Sequence, residues 1–116
     1  MLRFLRGSRA ENRALRYLNR HGLRCLARNV RTPAGELDLI MADGPVIVFV
    51  EVRSKHDDEW GPAAATIDGR KQRHVQRAAA LYLAQRNLQE QMVRFDVVAV
   101  DGETISWLPD AFGAQG

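Results

Sequence analysis

The stretch Val46-Ile47-Val48-Phe49-Val50-Glu51-Val52 constrains this chain more than any other. β-Branched and aromatic residues favour a strand, and successive strand side chains point to opposite faces. A strand that is apolar at both odd and even positions has no face to give to water. It belongs inside a sheet covered on both sides. That requirement selects a layered α/β fold with helices flanking the sheet. One residue breaks the pattern: Glu51 puts a carboxylate on the strand expected to be most enclosed. A buried acid costs free energy unless it is paired, neutralised or bound to a metal.

The flanking sequence supplies the layers. Residues 8–21 read as a helix, with Ser8 as its cap, Glu11 three residues on as in a capping box, and Gly22 as its stop. Residues 23–30 read as a strand and 32–35 as a turn. Residues 36–42 and 46–54 form a hairpin about Asp43-Gly44-Pro45. A loop over 55–65 carries Trp60-Gly61-Pro62, and Thr66 caps a second helix over 67–86. Strands over 94–100 and 103–108 flank Asp101-Gly102, and the tail after Pro109 reads as weakly constrained. The order α-β-β-β-α-β-β gives an α/β fold, a mixed sheet flanked by helices in one domain over residues 1–116. The longest apolar run falls far short of the roughly 20 residues that span a bilayer, so no membrane contact is expected. The single cysteine, Cys25, excludes an internal disulfide and a cysteine-cluster zinc site. With no apolar stretch after the basic start, a cytoplasmic location is expected.

Charge is unevenly spread. The first 31 residues hold nine arginines and one acid, while the remainder holds eight basic and thirteen acidic residues. Such asymmetry suggests a polyanionic partner. At about 100° per residue, Arg9, Arg13, Arg16 and Arg20 fall in one stripe of the first helix. A merely solvated helix face is the alternative. Arg70, Arg73 and Arg77 give the second helix a basic face of its own. Two charges fall where apolar residues belong. Glu11 lies opposite the arginines among Ala14, Leu15 and Leu18, as a cap or as an inward-facing acid. Lys71 lies in the stripe of Ile67, Val75, Ala78 and Tyr82, and either snorkels from the first turn or points inward.

Asp38 and Glu51 are equidistant from the Gly44-Pro45 turn. If that turn sets the register, they oppose each other at about 5 Å between Cβ atoms. Arg53 follows on the same face opposite Glu36, and alternation carries Lys55 to that side too. Two readings fit: a salt-bridge cluster among Glu36, Asp38, Glu51 and Arg53, or a seat for a hard divalent cation such as Mg²⁺.

These residues resemble the PD-(D/E)xK nuclease pattern. More closely, the chain resembles the YraN-type family of small bacterial proteins. The resemblance rests on Gly7…Glu11…Ala14…Tyr17-Leu18, Asn29-Val30-Arg31, Gly35-Glu36-Leu37-Asp38-Leu39-Ile40 and Val48-Phe49-Val50-Glu51-Val52-Arg53. It continues through Ile67…Lys71, Ala78-Ala79…Tyr82-Leu83, Arg94-Phe95-Asp96-Val97-Val98 and Ala111-Phe112. It implies a restriction-endonuclease-like core related to archaeal-type Holliday junction resolvases. It implies Asp38 and Glu51 as ligands of Mg²⁺ or Mn²⁺, Glu11 as an auxiliary ligand, and Arg53 at the motif's usual lysine position. Arginine stays protonated and cannot act as a base, so Lys55 or Lys71 would supply the missing ammonium.

The expected activity is metal-dependent endonuclease cleavage of branched or structured DNA, with Asp38, Glu51, Arg53 and Lys71 at the reacting phosphate. Arg9, Arg13, Arg16, Arg20, Lys55, Arg70 and Arg73 would hold the nucleic acid, and a homodimer would suit a two-fold junction. A catalytically silent nucleic-acid-binding module on the same fold is the alternative, and a subunit docking on an acidic protein is a third reading. Glycine-rich phosphate loops, H-E-x-x-H spacing and nucleophile elbows do not occur. His21, His56 and His74 share no motif and read as surface or loop residues. Trp107 reads as core, and Trp60 as the tryptophan placed to contact a base.

Overall fold

A computed structural model describes residues 9–54 and 67–113. It contains α1 (Arg9–Arg20), β1 (Arg24–Thr32), β2 (Gly35–Asp43), β3 (Val46–Ser54), α2 (Gly69–Gln85), β4 (Val93–Asp101) and β5 (Thr104–Phe112). The order is the expected α-β-β-β-α-β-β. The strands form one sheet in the order β1-β2-β3-β4-β5. β3 and β4 are parallel and the other pairs antiparallel, which makes the sheet mixed. The β3–β4 link must cross a sheet face, and α2 lies on that crossover.

β3 is central, as its composition demands. α1 packs on one face, where Ala14 and Leu18 meet Leu39, Val48, Val50 and Val98. α2 packs on the other, where Val75, Ala78 and Tyr82 meet Leu37, Phe49 and Phe95. Alternate β3 residues therefore feed two separate cores. No helix among the described residues is long and apolar enough to cross a membrane.

Three expectations change. The cap of α2 is Asp68, whose carboxylate accepts the Lys71 amide at 2.9 Å. Thr66 lies outside the described residues, as do Ser8, Lys55 and Trp60. β5 runs on through Pro109 to Phe112, beyond the expected end at residue 108. Proline is tolerated there because β5 is an edge strand. Asp110 takes a left-handed conformation, its amide donates to Asp96, and Phe112 stacks on Phe95 at 5.1 Å. The tail up to Phe112 is thus tied down by residues remote in sequence. Trp107 is half-buried rather than core, leaning against α1.

Candidate active site

The β2–β3 hairpin pairs from Asp43↔Val46 to Leu39↔Val50, the register symmetric about Gly44-Pro45. The next pair in that register is Asp38 with Glu51, and there the ladder stops. β3 continues against β4 from Glu51↔Val97 to Ser54↔Val100, while β2 stays with β1 through Val30↔Leu37. The two strands fork at the two acids.

The cause is a change of face. Leu39 belongs to the α1-side core and Leu37 to the α2-side core, although residues two apart in a regular strand share a face. On β1, Asn29 lies between the flanking pairs Arg28↔Leu39 and Val30↔Leu37 with φ at 52°. Asp38 sits at the crossing. Its Oδ2 accepts the Val52 amide at 2.9 Å, where a ladder carbonyl would otherwise be.

Glu51 alternates with Phe49 towards α2 and is 2% exposed. Its Oε1 lies 3.4 Å from Lys71 Nζ, which reaches in from the first turn of α2 with a side chain 44% exposed. Its Oε2 is buried and accepts no hydrogen bond among the described residues. Burial first, and the Asp38 charge second, push the Glu51 carboxyl up to about 8, against the opposing pull of Lys71 and of the nearby Asp38 backbone amide. Burial also raises Asp38, while the Val52 amide, Lys71 and Arg53 draw it down and Glu36 pushes it up. Lys71 therefore acts on both acids and Arg53 on Asp38. The ion-pair partner of Glu51 comes from α2 rather than from Arg53 two residues along its own strand.

Glu11 occupies the first turn of α1, with its side chain 14% exposed and one oxygen 3.8 Å from the Arg28 guanidinium. Among the described residues, no three His, Cys, Asp or Glu side chains lie close enough together to hold a metal. The expected three-acid set of Glu11, Asp38 and Glu51 is not gathered among the described residues; Glu11 lies on the α1 side near Arg28, and its Oε1, like Glu51 Oε2, is buried without a hydrogen bond among them. Two carboxylates remain together, one with a buried oxygen that takes no hydrogen bond among the described residues. That donor set fits Mg²⁺, which commonly takes one or two carboxylates and fills its shell with water and substrate phosphate.

The arginine stripe lies as expected. Arg9, Arg16 and Arg20 are exposed, and Arg13 is half-buried with its guanidinium donating to the Gly102 carbonyl. Arg9, Arg13 and Arg16 line a groove of about 890 Å³ together with Ser54, Asp101 and Glu103. The groove opens at the C-terminal ends of the parallel strands β3 and β4, where open α/β sheets bind ligands. Arg70 and Arg73 are exposed on α2, across the sheet from α1.

The sequence reading passed over two further features. Asp96 is fully buried and takes two bonds from Arg94, at 2.9 and 3.0 Å, and one each from Trp107 Nε1 and the Asp110 amide. An acid in the apolar strand Val93–Asp101 is the same signal that marks Glu51. Tyr17, His21 and Trp107 form a ring cluster at the end of α1. The spacing of four between Tyr17 and His21 was its only sequence trace.

A family model described as "Uncharacterised protein family UPF0102" matches residues 10–100. A UPF0102 protein from Halorhodospira halophila is 51% identical over 107 residues, which cover 92% of this chain and 86% of the relative. One from Alkalilimnicola ehrlichii is 50% identical over 111 residues, covering 95% and 88%. One from Yersinia pseudotuberculosis is 50% identical over 111 residues, covering 94% and 95%. On a family match across most of its length and relatives about half identical from end to end, the chain belongs to the UPF0102 family, the YraN-type family that its motifs resemble.

Proposed function

We propose that the protein is a metal-dependent endonuclease that hydrolyses phosphodiester bonds in branched or otherwise structured DNA. The observation that carries this reading is the forked pair Asp38 and Glu51, with a buried oxygen on Glu51 that takes no hydrogen bond among the described residues and a raised pKa that a cation would relieve. Asp38 and Glu51 would hold Mg²⁺ or Mn²⁺. When bound, such an ion supplies Lewis acidity to a phosphoryl oxygen and lowers the pKa of a bound water.

The chain's own cations do the rest. Lys71, half exposed beside Glu51, offsets charge that builds on the phosphoryl oxygens and fills the role of the motif's lysine. Arg53 holds a non-bridging oxygen and takes no proton. Arg9, Arg13, Arg16 and Arg20 on one face, with Arg70 and Arg73 on the other, bind backbone phosphates, and Lys55 extends this set. Two such sites in a homodimer match the two-fold symmetry of a junction.

The arginine at the lysine position favours a second reading, a DNA-binding module without turnover. A panel of branched, flapped and linear DNAs with Mg²⁺ or Mn²⁺ separates the two. The endonuclease reading expects cleavage of the branched members, lost in Asp38→Asn and Glu51→Gln while binding persists or tightens. Binding without cleavage of any member by the wild type supports the silent module.

A further inference from the structure

At the C-terminal end of α1, Tyr17 and His21 stack one helical turn apart, with centroids 4.3 Å apart and planes at 26°. Trp107, from β5, stands edge-on to both, at 6.4 Å from Tyr17 and 5.8 Å from His21. The rings are held in place. His21 Nδ1 lies 2.8 Å from the Tyr17 carbonyl, so that nitrogen carries the proton and donates it. The Trp107 indole donates to Asp96 at 2.9 Å, and Asp96 is itself fixed by Arg94 and the Asp110 amide. His21 is exposed, and Tyr17 and Trp107 are half-buried. The cluster therefore presents ring surface to solvent without needing to be ordered first.

Its neighbours are cations. Arg20 lies over the Tyr17 ring at 6.0 Å, and Arg16 is exposed on the preceding turn. The arginine stripe runs from the groove at Arg9 to the rings at Arg20, about 16 Å of helix. Exposed rings beside guanidinium groups suit a nucleobase with its phosphate. Stacking needs a base free of its own stack, so the fit is to unpaired nucleotides and not to intact duplex.

We infer that Tyr17, His21 and Trp107 form a stacking platform for an unpaired DNA base, with Arg16 and Arg20 holding its flanking phosphates. This rests on DNA as the partner proposed above and not on cleavage. The platform gives the protein a means to engage the single-stranded segment of a branched or flapped substrate.

The test is metal-free binding of fluorophore-labelled probes to the full wild-type chain, read by anisotropy, with a parallel titration of Trp60→Phe in which Trp107 is the sole tryptophan reporter. Three probes are titrated: an oligothymidylate strand, an abasic strand of equal length and charge, and a duplex. Oligothymidylate is expected to quench Trp107 and to bind about 10- to 100-fold more tightly than the abasic strand. His21→Ala removes an exposed ring and leaves both cores intact; it should cut that preference several-fold by weakening oligothymidylate alone. Equal affinity for the base-bearing and abasic strands overturns the platform, and so does a His21→Ala effect equal on both. No binding to any probe overturns the platform and the DNA reading together. A preserved base preference in a protein that cleaves nothing leaves the platform standing and removes only the nuclease.

Discussion

Glu51 and Asp96 are both acids buried in apolar strands, and their surroundings give them opposite energetics. Asp96 is bonded on both oxygens by a guanidinium, an indole and an amide. Asparagine cannot accept on both atoms, so the bonds from Arg94, Trp107 and the Asp110 amide are not all kept, although Arg94 retains Asp43 at 2.9 Å. Asp96→Asn should destabilise the protein by about 1–3 kcal/mol in denaturant melts at neutral pH. Glu51 has Lys71 on one oxygen, and its buried second oxygen takes no hydrogen bond among the described residues. Its carboxyl is raised from an ordinary 4.5 to about 8, so the unfolded chain gives up this proton at lower pH than the folded one. The stability held by the protonated form is complete below about 4.5, falls as pH rises to about 8, and is level above. Glu51→Gln removes that loss. Relative to wild type in the absence of metal, it should be near neutral at low pH and more stable by about 1–3 kcal/mol at pH 8 and above. Melts across this range check the difference; destabilisation by Glu51→Gln throughout would mean that the Lys71 pair is a structural salt bridge. Both acids were visible in the sequence as charges in apolar strands. Their sequence neighbours do not tell them apart, because the deciding partners, Lys71 for one and Trp107 with Asp110 for the other, come from distant elements.

At the scale of elements, periodicity made the two helices and the hairpin legible, and turn symmetry gave the β2–β3 register. The fork was not legible, since it depends on β1 and β2 changing faces together at Asn29 and Asp38. The end of β5 was missed for a similar reason: Pro109-Asp110 reads as a breaker, and Asp96, Phe95 and Gln76, all remote in sequence, hold it. Phe112→Ala should therefore cost about 3 kcal/mol or more, measured by equilibrium unfolding, whereas a loose tail would tolerate it. On α1, Arg9 and Arg16 are exposed, while Arg13 also braces Gly102. The double variant Arg9→Ala/Arg16→Ala should weaken DNA binding alike for all sequences. It should also flatten the slope of log affinity against log salt by about two. An unchanged slope would make the stripe a solvated face.

For the whole molecule, one inference from sequence held firmly: a β3 apolar on both faces from Val46 to Val52 but for Glu51 had to be central, with a helix on each face. The same architecture explains why the acids meet. β3 is shared by both cores, and where β2 leaves it, Asp38 and Glu51 remain with no strand between them and with α2 bringing Lys71 overhead. The sequence also suggested Glu11 as a third ligand, from its place on the apolar side of α1. Among the described residues Glu11 does not join the two strand acids; its neighbour is Arg28 at 3.8 Å, which could not be seen before β1 was placed.

The central claim is that Asp38 and Glu51 together form the seat of a divalent cation. Calorimetric titration of Mn²⁺ into the wild-type chain and into Asp38→Asn, Glu51→Gln and Glu11→Gln tests it without requiring turnover. The wild type and Glu11→Gln should bind the ion, and each should melt at a higher temperature in its presence. Asp38→Asn and Glu51→Gln should each lose most of the affinity and the thermal shift while staying folded. A wild type that takes up no Mn²⁺, or binding that survives in both Asp38→Asn and Glu51→Gln, would contradict the claim.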